Sequence, residues 1–164
     1  MTVTTRGATA DDIPMLVQMM HEFYAAGDYR LDRQWAAASF AALLANESYG
    51  AVWMVFAEGE TAGYAVLTIC YSMEYGGLAG HIDDLFIRPH YRRQGLGEAV
   101  LRALFADCAR RGVLAVHVET ANDNIAAKAL YSRCGLSPQD DGREVFTSRL
   151  DKIKIRLDEL ADGT

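Results

Sequence analysis

Apolar residues recur along this chain with two periods, and each period predicts an element. Val3 to Ala8 is short and extended, a first strand. Ile13, Leu16, Val17, Met20 and Phe23 then recur three and four residues apart, the spacing of one helix face. Thr9 or Asp11 caps that helix, Pro14 fits its first turn, and Gly27 ends it. Asp32 caps a second, Ala-rich helix running to about Leu44. Ala51 to Ala57 and Gly63 to Tyr71 read as strands, with Glu58-Gly59-Glu60 as a tight hairpin between them. Gly76-Gly77 marks a loop before a strand from His81 to Ile87. Gly97 to Arg111 is a helix stopped by Gly112, Val113 to Thr120 a strand, and Asn124 to Arg133 a helix closed by Gly135. Val145 to Leu150 is expected to be a last strand, and the tail 151–164 fits either strand or helix. This order predicts an α+β (α/β-like) domain with a mixed sheet, in which the strand–helix–strand unit 81–120 is parallel.

At 164 residues the chain is expected to be one domain, 1–164, and with 51% apolar residues it can fill a core. No apolar run reaches the roughly 20 residues of a membrane span, and the N-terminus lacks a leader pattern, so a cytoplasmic protein is expected. Cys70, Cys108 and Cys134 are odd in number and lack C-x-x-C spacing, which predicts reduced, buried thiols. A net charge of −6 argues against a nucleic-acid partner. No His/Cys/Asp/Glu set has metal-ligand spacing, so no metal is expected.

The most informative stretch is Leu85-Phe86-Ile87-Arg88-Pro89-His90-Tyr91-Arg92-Arg93-Gln94-Gly95-Leu96-Gly97-Glu98. A strand runs through a basic turn into two glycines that open a helix. Glycines let a ligand approach the backbone, and free N–H groups at a helix start attract an anion. A pyrophosphate is the expected ligand, with a Cβ on Gly97 intruding on its path. The dinucleotide fingerprint fits poorly, because Gly95-x-Gly97-x-x-Val100 lacks its third glycine and Arg88 to Gln94 separate it from the strand. Glu119, at the end of the next strand, is the one feature that suits a ribose.

Arg92-x-x-Gly95-x-Gly97, together with Asn124-x-x-Ala127-x-x-Leu130-Tyr131-x-x-x-Gly135, resembles the paired motifs of the Gcn5-related N-acetyltransferases, most strongly over 79–137. Leu136 stands where that family usually has Phe. The resemblance implies a mixed sheet of about six to seven strands flanked by about four helices, with the two central parallel strands splayed apart. It implies acetyl-CoA as cosubstrate and acetyl transfer to a primary amine by direct attack. It assigns Leu85, Phe86, Ile87, Arg92, Arg93, Gln94, Gly95, Leu96, Gly97, Glu98, Asn124 and Tyr131 to the cosubstrate. Tyr131 is the expected proton donor to the leaving sulfur. Family habit also points to a homodimer.

Acetylating an amine requires removing a proton from an ammonium. Asp83 and Asp84 are adjacent in one strand, and strict alternation puts them on opposite faces. A carboxylate in a strand covered on both faces is costly without a partner or a task. The base is expected to be Asp83 or Glu119, with Asp84 anchoring the ammonium. This short stretch resembles the acidic pair of polyamine-type members. Tyr24 and Asp28, with Tyr29, and Glu74, with Tyr71 and Tyr75, are candidate walls for the acceptor. His81 and His117 read as hydrogen-bonded core residues. A small cationic amine is the favoured small-molecule acceptor. A polyamine, an amino acid, an aminoglycoside, and a protein N-terminus or lysine all remain open. The competing classes are a non-catalytic acyl-CoA sensor on the same fold and a nicotinamide-dependent oxidoreductase.

Overall fold

The computed structural model describes residues 1–27 and 29–139. Its elements are β1 (Val3–Gly7), α1 (Ile13–Ala25), α2 (Arg33–Ala45), β2 (Gly50–Ala57), β3 (Glu60–Ser72), β4 (Gly77–Ile87), α3 (Leu96–Arg111), β5 (Val113–Val118) and α4 (Ile125–Arg133). The sheet runs β1-β2-β3-β4-β5. Its first three pairings are antiparallel and β4–β5 is parallel. The expected mixed sheet and four helices are present. The described residues hold five strands rather than six or seven; the strand expected at 145–150 and the tail 151–164 lie outside them. No helix among the described residues is long and apolar enough to cross a membrane.

Two apolar layers cover the sheet. Val55, Ala65, Leu67, Ile82 and Ile87 meet Leu96, Val100, Leu101 and Leu104 of α3 on one face. Val52, Met54, Tyr64, Val66 and Phe86 meet Leu16, Met19 and Met20 of α1 and Ala36 and Phe40 of α2 on the other. With both faces covered, β3 reads as the nearly continuous apolar run Ala62 to Leu67.

Local chemistry sets the element ends. The Asp32 carboxylate accepts from the N–H groups of Gln34 (2.9 Å) and Trp35 (3.1 Å), as its expected capping role requires. At α1 the cap differs from expectation. Thr9 opens a 3-10 turn, Ala10–Asp12, and Asp12 rather than Asp11 accepts from the Thr9 N–H at 2.8 Å. Both strands of the central hairpin outrun the sequence reading. β4 begins at Gly77 because Gly77–Gly80 pair with Ser72–Ile69. β5 stops at Val118, two residues early, where its pairing with β4 ends at Ile82↔Val118. Cys108 is buried, but Cys70 is exposed and Cys134 half-buried, so burial of the thiols holds for one of three.

Candidate active site

The expected splay is visible as a loss of partners. β4 continues five residues past its last parallel pair, so Asp83 to Ile87 have β3 on one side and no strand on the other among the described residues. Backbone groups on that open edge can pair with an amide-rich ligand. The side chains of Phe86 and Ile87 are buried in the two cores, so these positions, with Leu85, offer their backbone and not their side chains.

Beyond Ile87 the chain turns through Pro89–Tyr91 into a tight loop. Arg93 (φ 62°) and Gly95 (φ 85°) both take the left-handed conformation, and α3 starts at Leu96. A Cβ on Gly95 would meet nothing within 4 Å, so glycine is there for its φ and for open access. The Arg92 side chain folds back: its Nε donates to the Ile87 carbonyl at 2.8 Å, and its guanidinium lies over the Phe86 ring. Gln94 donates to the His90 carbonyl at 2.9 Å. These two side chains brace the loop, while Arg93 is exposed. The first N–H groups of α3, from Leu96, Gly97 and Glu98, lack intrahelical acceptors and carry the positive end of the helix dipole. Leu96 is buried, so only its N–H can serve a ligand. Gly97 also has a reason that was not expected. A Cβ there would sit 2.8 Å from Leu130 Cδ2 of α4, so the missing side chain lets the two helices close.

The acids are rearranged by a bulge. Val66 pairs with Asp84 and Leu67 with Ile82, leaving Asp83 as the extra residue. Ile82, Leu85 and Ile87 face α3, while Asp84, bonded to Tyr64, and Phe86 face α1 and α2. Both carboxylates therefore sit on the α1/α2 face, not on opposite faces; the extra residue shifts the alternation by one. Asp83 is 62% exposed and lies 3.7 Å from His81 Nδ1. Asp84 is largely buried and accepts from the Tyr64 hydroxyl at 2.9 Å. Burial pushes its carboxyl up to about 6; Asp83 adds to the rise and the Tyr64 hydrogen bond opposes it. Tyr24 stands against the same pair: burial first, then Asp84 and Asp83, push its phenol up to about 12. Arg88 holds α1 in place there, with Nε and Nη2 on the Glu22 carboxylate at 2.8 and 2.9 Å.

Tyr64, Glu22 and Arg88 were not singled out in the sequence. Tyr64 lies inside an apolar strand opposite Phe86, and only the fold brings its hydroxyl to Asp84, two residues back along β4. His81 and His117 are neighbours in register on this face rather than core residues. His117 is exposed, with Tyr75 5.6 Å away ring to ring. Tyr24 and Tyr29 are in edge contact at 6.4 Å. A continuous strip thus runs Tyr29, Tyr24, Asp84/Asp83, His81, His117, Tyr75. Glu74 adjoins Tyr75 at the exposed β3–β4 tip, and Asp28 lies outside the described residues. Glu119 is exposed just past β5 and is not among the charges acting on Asp84.

Asn124 caps α4, its Oδ1 accepting from the Ala127 N–H at 3.1 Å. Gly135, at φ 90°, closes the helix, with the Leu136 N–H returning to the Tyr131 carbonyl. Tyr131 is half-buried against the α3-side core, and burial raises its phenol. No group of three or more potential metal ligands occurs among the described residues.

An open strand edge, an anion cradle at a helix start, paired carboxylates and a protonated phenol are the parts that amine acetylation needs. Known proteins resemble the chain in sequence and fold. The Escherichia coli K12 enzyme named [ribosomal protein bS18]-alanine N-acetyltransferase is 37% identical, over 37% of this chain and 47% of its own length; the chain thus spans about half of that relative. An integron cassette protein from the mobile metagenome of Cole Harbour Salt Marsh is 39% identical, covers 89% of this chain and 90% of its own, and superposes with a TM-score of 0.79. A Clostridium acetobutylicum protein described as a predicted acetyltransferase, solved with acetyl-CoA, shares the fold at TM-score 0.73 and 16% identity, covering 88% of this chain and 96% of its own. The family model "Acetyltransferase (GNAT) family" matches residues 14–136, which removes the oxidoreductase reading. The chain belongs to the acetyltransferase (GNAT) family.

Proposed function

We propose that the protein acetylates a primary amine that arrives as an ammonium, and that an α-amino group is a better acceptor than an alkylamine. The bulge that sets Asp83 and Asp84 together beside the open edge of β4 carries this reading. In it Asp83, the exposed member, attracts the ammonium, and Asp84, raised to about 6, takes its proton. This moves the base from Asp83 or Glu119 to Asp84, because burial gives Asp84 the proton affinity that an exposed carboxylate lacks. The neutral amine then attacks the acetyl carbonyl directly, and Tyr131 donates to the departing sulfur.

Magnitudes favour the α-amine. An α-ammonium near pKa 8 gives its proton to a group near 6 at a cost of about 2.7 kcal/mol, and an alkylammonium near 10.4 at about 6 kcal/mol. The Escherichia coli relative is named for an alanine of ribosomal protein bS18, a residue whose only amine is an α-amine. A small cationic amine, including a polyamine, remains the rival acceptor and has the same carboxylates in its favour.

A panel of acetyl-CoA assays reading free thiol separates them. Peptides beginning with alanine, free amino acids, aminoglycosides and polyamines are compared at equal concentration. The proposal expects kcat/KM for an α-amine to exceed that for any alkylamine by at least about tenfold. Turnover confined to polyamines would replace it, and no turnover on any amine would return the acyl-CoA sensor.

The cosubstrate has its own check. Acetyl-CoA at about 100 times its Kd should stabilise the protein by roughly 2.7 kcal/mol, while NAD(P) leaves the melting temperature unmoved. Gly97→Val should abolish the shift by forcing Leu130 and α4 off the start of α3. An equal shift with NAD(P) would contradict the assignment.

A further inference from the structure

Apolar packing holds only the first part of α1. Its buried residues are Leu16, Val17, Met19 and Met20, and none follows Met20. The last turn nevertheless carries Tyr24, the phenol on which Asp84 and Asp83 act. A polar pair holds that turn. Arg88 donates from Nε to Glu22 Oε2 at 2.8 Å and from Nη2 to Glu22 Oε1 at 2.9 Å. Two charge-assisted bonds side by side fix direction as well as distance. With side chains only 20% and 30% exposed, the pair is less screened than one in open solvent. Gln18, one turn back, donates to Glu22 Oε1 at 3.1 Å, and Arg33 at the start of α2 donates to Gln18 Oε1 at 3.2 Å. Phe23 adds ring contacts, stacked on Phe86 at 5.4 Å and edge-on to Tyr24 at 5.7 Å.

The arginine end of the pair is itself anchored to β3. Its N–H donates to the Ala62 carbonyl at 2.9 Å and its Nη1 to the Thr61 carbonyl at 2.8 Å. Pro89 confines Arg88 to extended angles, and it stands at φ −54° and ψ 139°. Arg88 thus carries the position of the sheet to the end of α1. The cradle has its own braces in Arg92 and Gln94.

We propose that Glu22 and Arg88 are positioning residues for the acceptor: they fix the last turn of α1, so that Tyr24 stays against Asp83 and Asp84 and the amine is held there. The proposal rests on amine acetylation as the activity. It places the effect of the pair on the acceptor and not on the cosubstrate.

Steady-state kinetics on the best amine of the panel, calorimetry with CoA and hydrogen exchange over α1 test this together. Arg88→Met and Glu22→Gln should each raise the KM for the amine about tenfold, with kcat within about threefold and CoA affinity within about twofold. Arg88→Lys should recover part of the loss, since an ammonium keeps the charge but not the fork. Tyr24→Ala should raise the KM by itself. Adding Arg88→Met to it should raise the KM by less than about twofold more, whereas independent losses would multiply. Amides of residues 22–25 should exchange about tenfold faster in Arg88→Met, while those of 17–20 keep their wild-type rates. A general loosening would instead speed exchange along the whole helix and weaken CoA. An unchanged KM, a loss that falls on CoA affinity, multiplying losses in the double variant, or unchanged exchange at 22–25 would each overturn the proposal. A wild-type protein that acetylates no amine would strike instead at the proposed function, and the exchange rates would still decide whether the pair holds the turn.

Discussion

Replacing Asp84 by Asn should cut turnover by about 10²- to 10³-fold while leaving acetyl-CoA affinity within about threefold, and it should make the protein more stable at neutral pH. Both effects come from one fact: this carboxyl is held near 6 by burial. For catalysis, kcat in the wild type rises as pH passes through about 6 and the carboxylate form appears; the Asn variant lacks that limb and keeps only the rise due to free amine. For stability, the folded carboxyl binds its proton more tightly than an unfolded one near 3.9. Between about pH 4 and 6 the native state therefore holds more protons than the unfolded state, and stability falls as pH rises through that window. The cost is absent below about pH 4 and complete above about pH 6. Two pKa units correspond to about 2.7 kcal/mol, an upper bound on what Asn can recover at pH 7. Thermal melts of the two proteins at pH 4 and pH 7.5 check it. A variant stabilised equally at both would locate the gain in packing, and a variant with wild-type turnover would remove Asp84 as the base. Tyr64→Phe gives an independent reading. Loss of its hydrogen bond removes what holds Asp84 down, so the acid limb of the pH–rate profile should move upward.

How much of this was legible beforehand follows from what each feature depends on. The helices were, because caps and period are local: Asp32, Asn124, Gly112 and Gly135 act where the sequence puts them. The two motifs were, because Gly95 answers to its own backbone angle and Tyr131 to its spacing from Asn124. The base was not. Its identity turns on a bulge at Asp83, and nothing within 81–87 announces an extra residue; the strain is resolved by pairing with β3, far away in the chain. Without the bulge Asp84 would share its face with the α3-side core, and Asp83 alone would stand on the face of Tyr64. The helix contact at Gly97 was hidden for a related reason, since its neighbour Leu130 is thirty-three positions on and meets it only through helix packing. Features set by one residue's own chemistry were readable, and features set by register between distant segments were not.

Tyr131→Phe is expected to spare acetyl-CoA affinity, within about threefold, and to reduce turnover by roughly 10- to 10²-fold. Tyr131 follows the Asn124 cap by seven residues, about two helical turns, so the two lie on one face of α4. Leu130 against Gly97 pins that helix to the start of α3, beside the cradle. A free phenol titrates near 10, and burial raises this one further, so it is protonated throughout the working range. A departing thiolate has a conjugate acid near 8.5, so complete proton transfer from the phenol runs uphill. What Tyr131 contributes is then a hydrogen bond that strengthens as charge gathers on sulfur, and bonds to charged acceptors are worth about 1.5 to 3 kcal/mol. That interval is the source of the expected loss. Two consequences separate this role from a packing one. The wild-type pH–rate profile should show no descending limb below about pH 10. The penalty for Phe should also shrink with an acetyl donor whose thiol is more acidic, because such a group departs with less help. A Phe variant that turns over acetyl-CoA at the wild-type rate, or one whose deficit is the same for every donor, would leave Tyr131 as a side chain that only fills the space between α4 and the core.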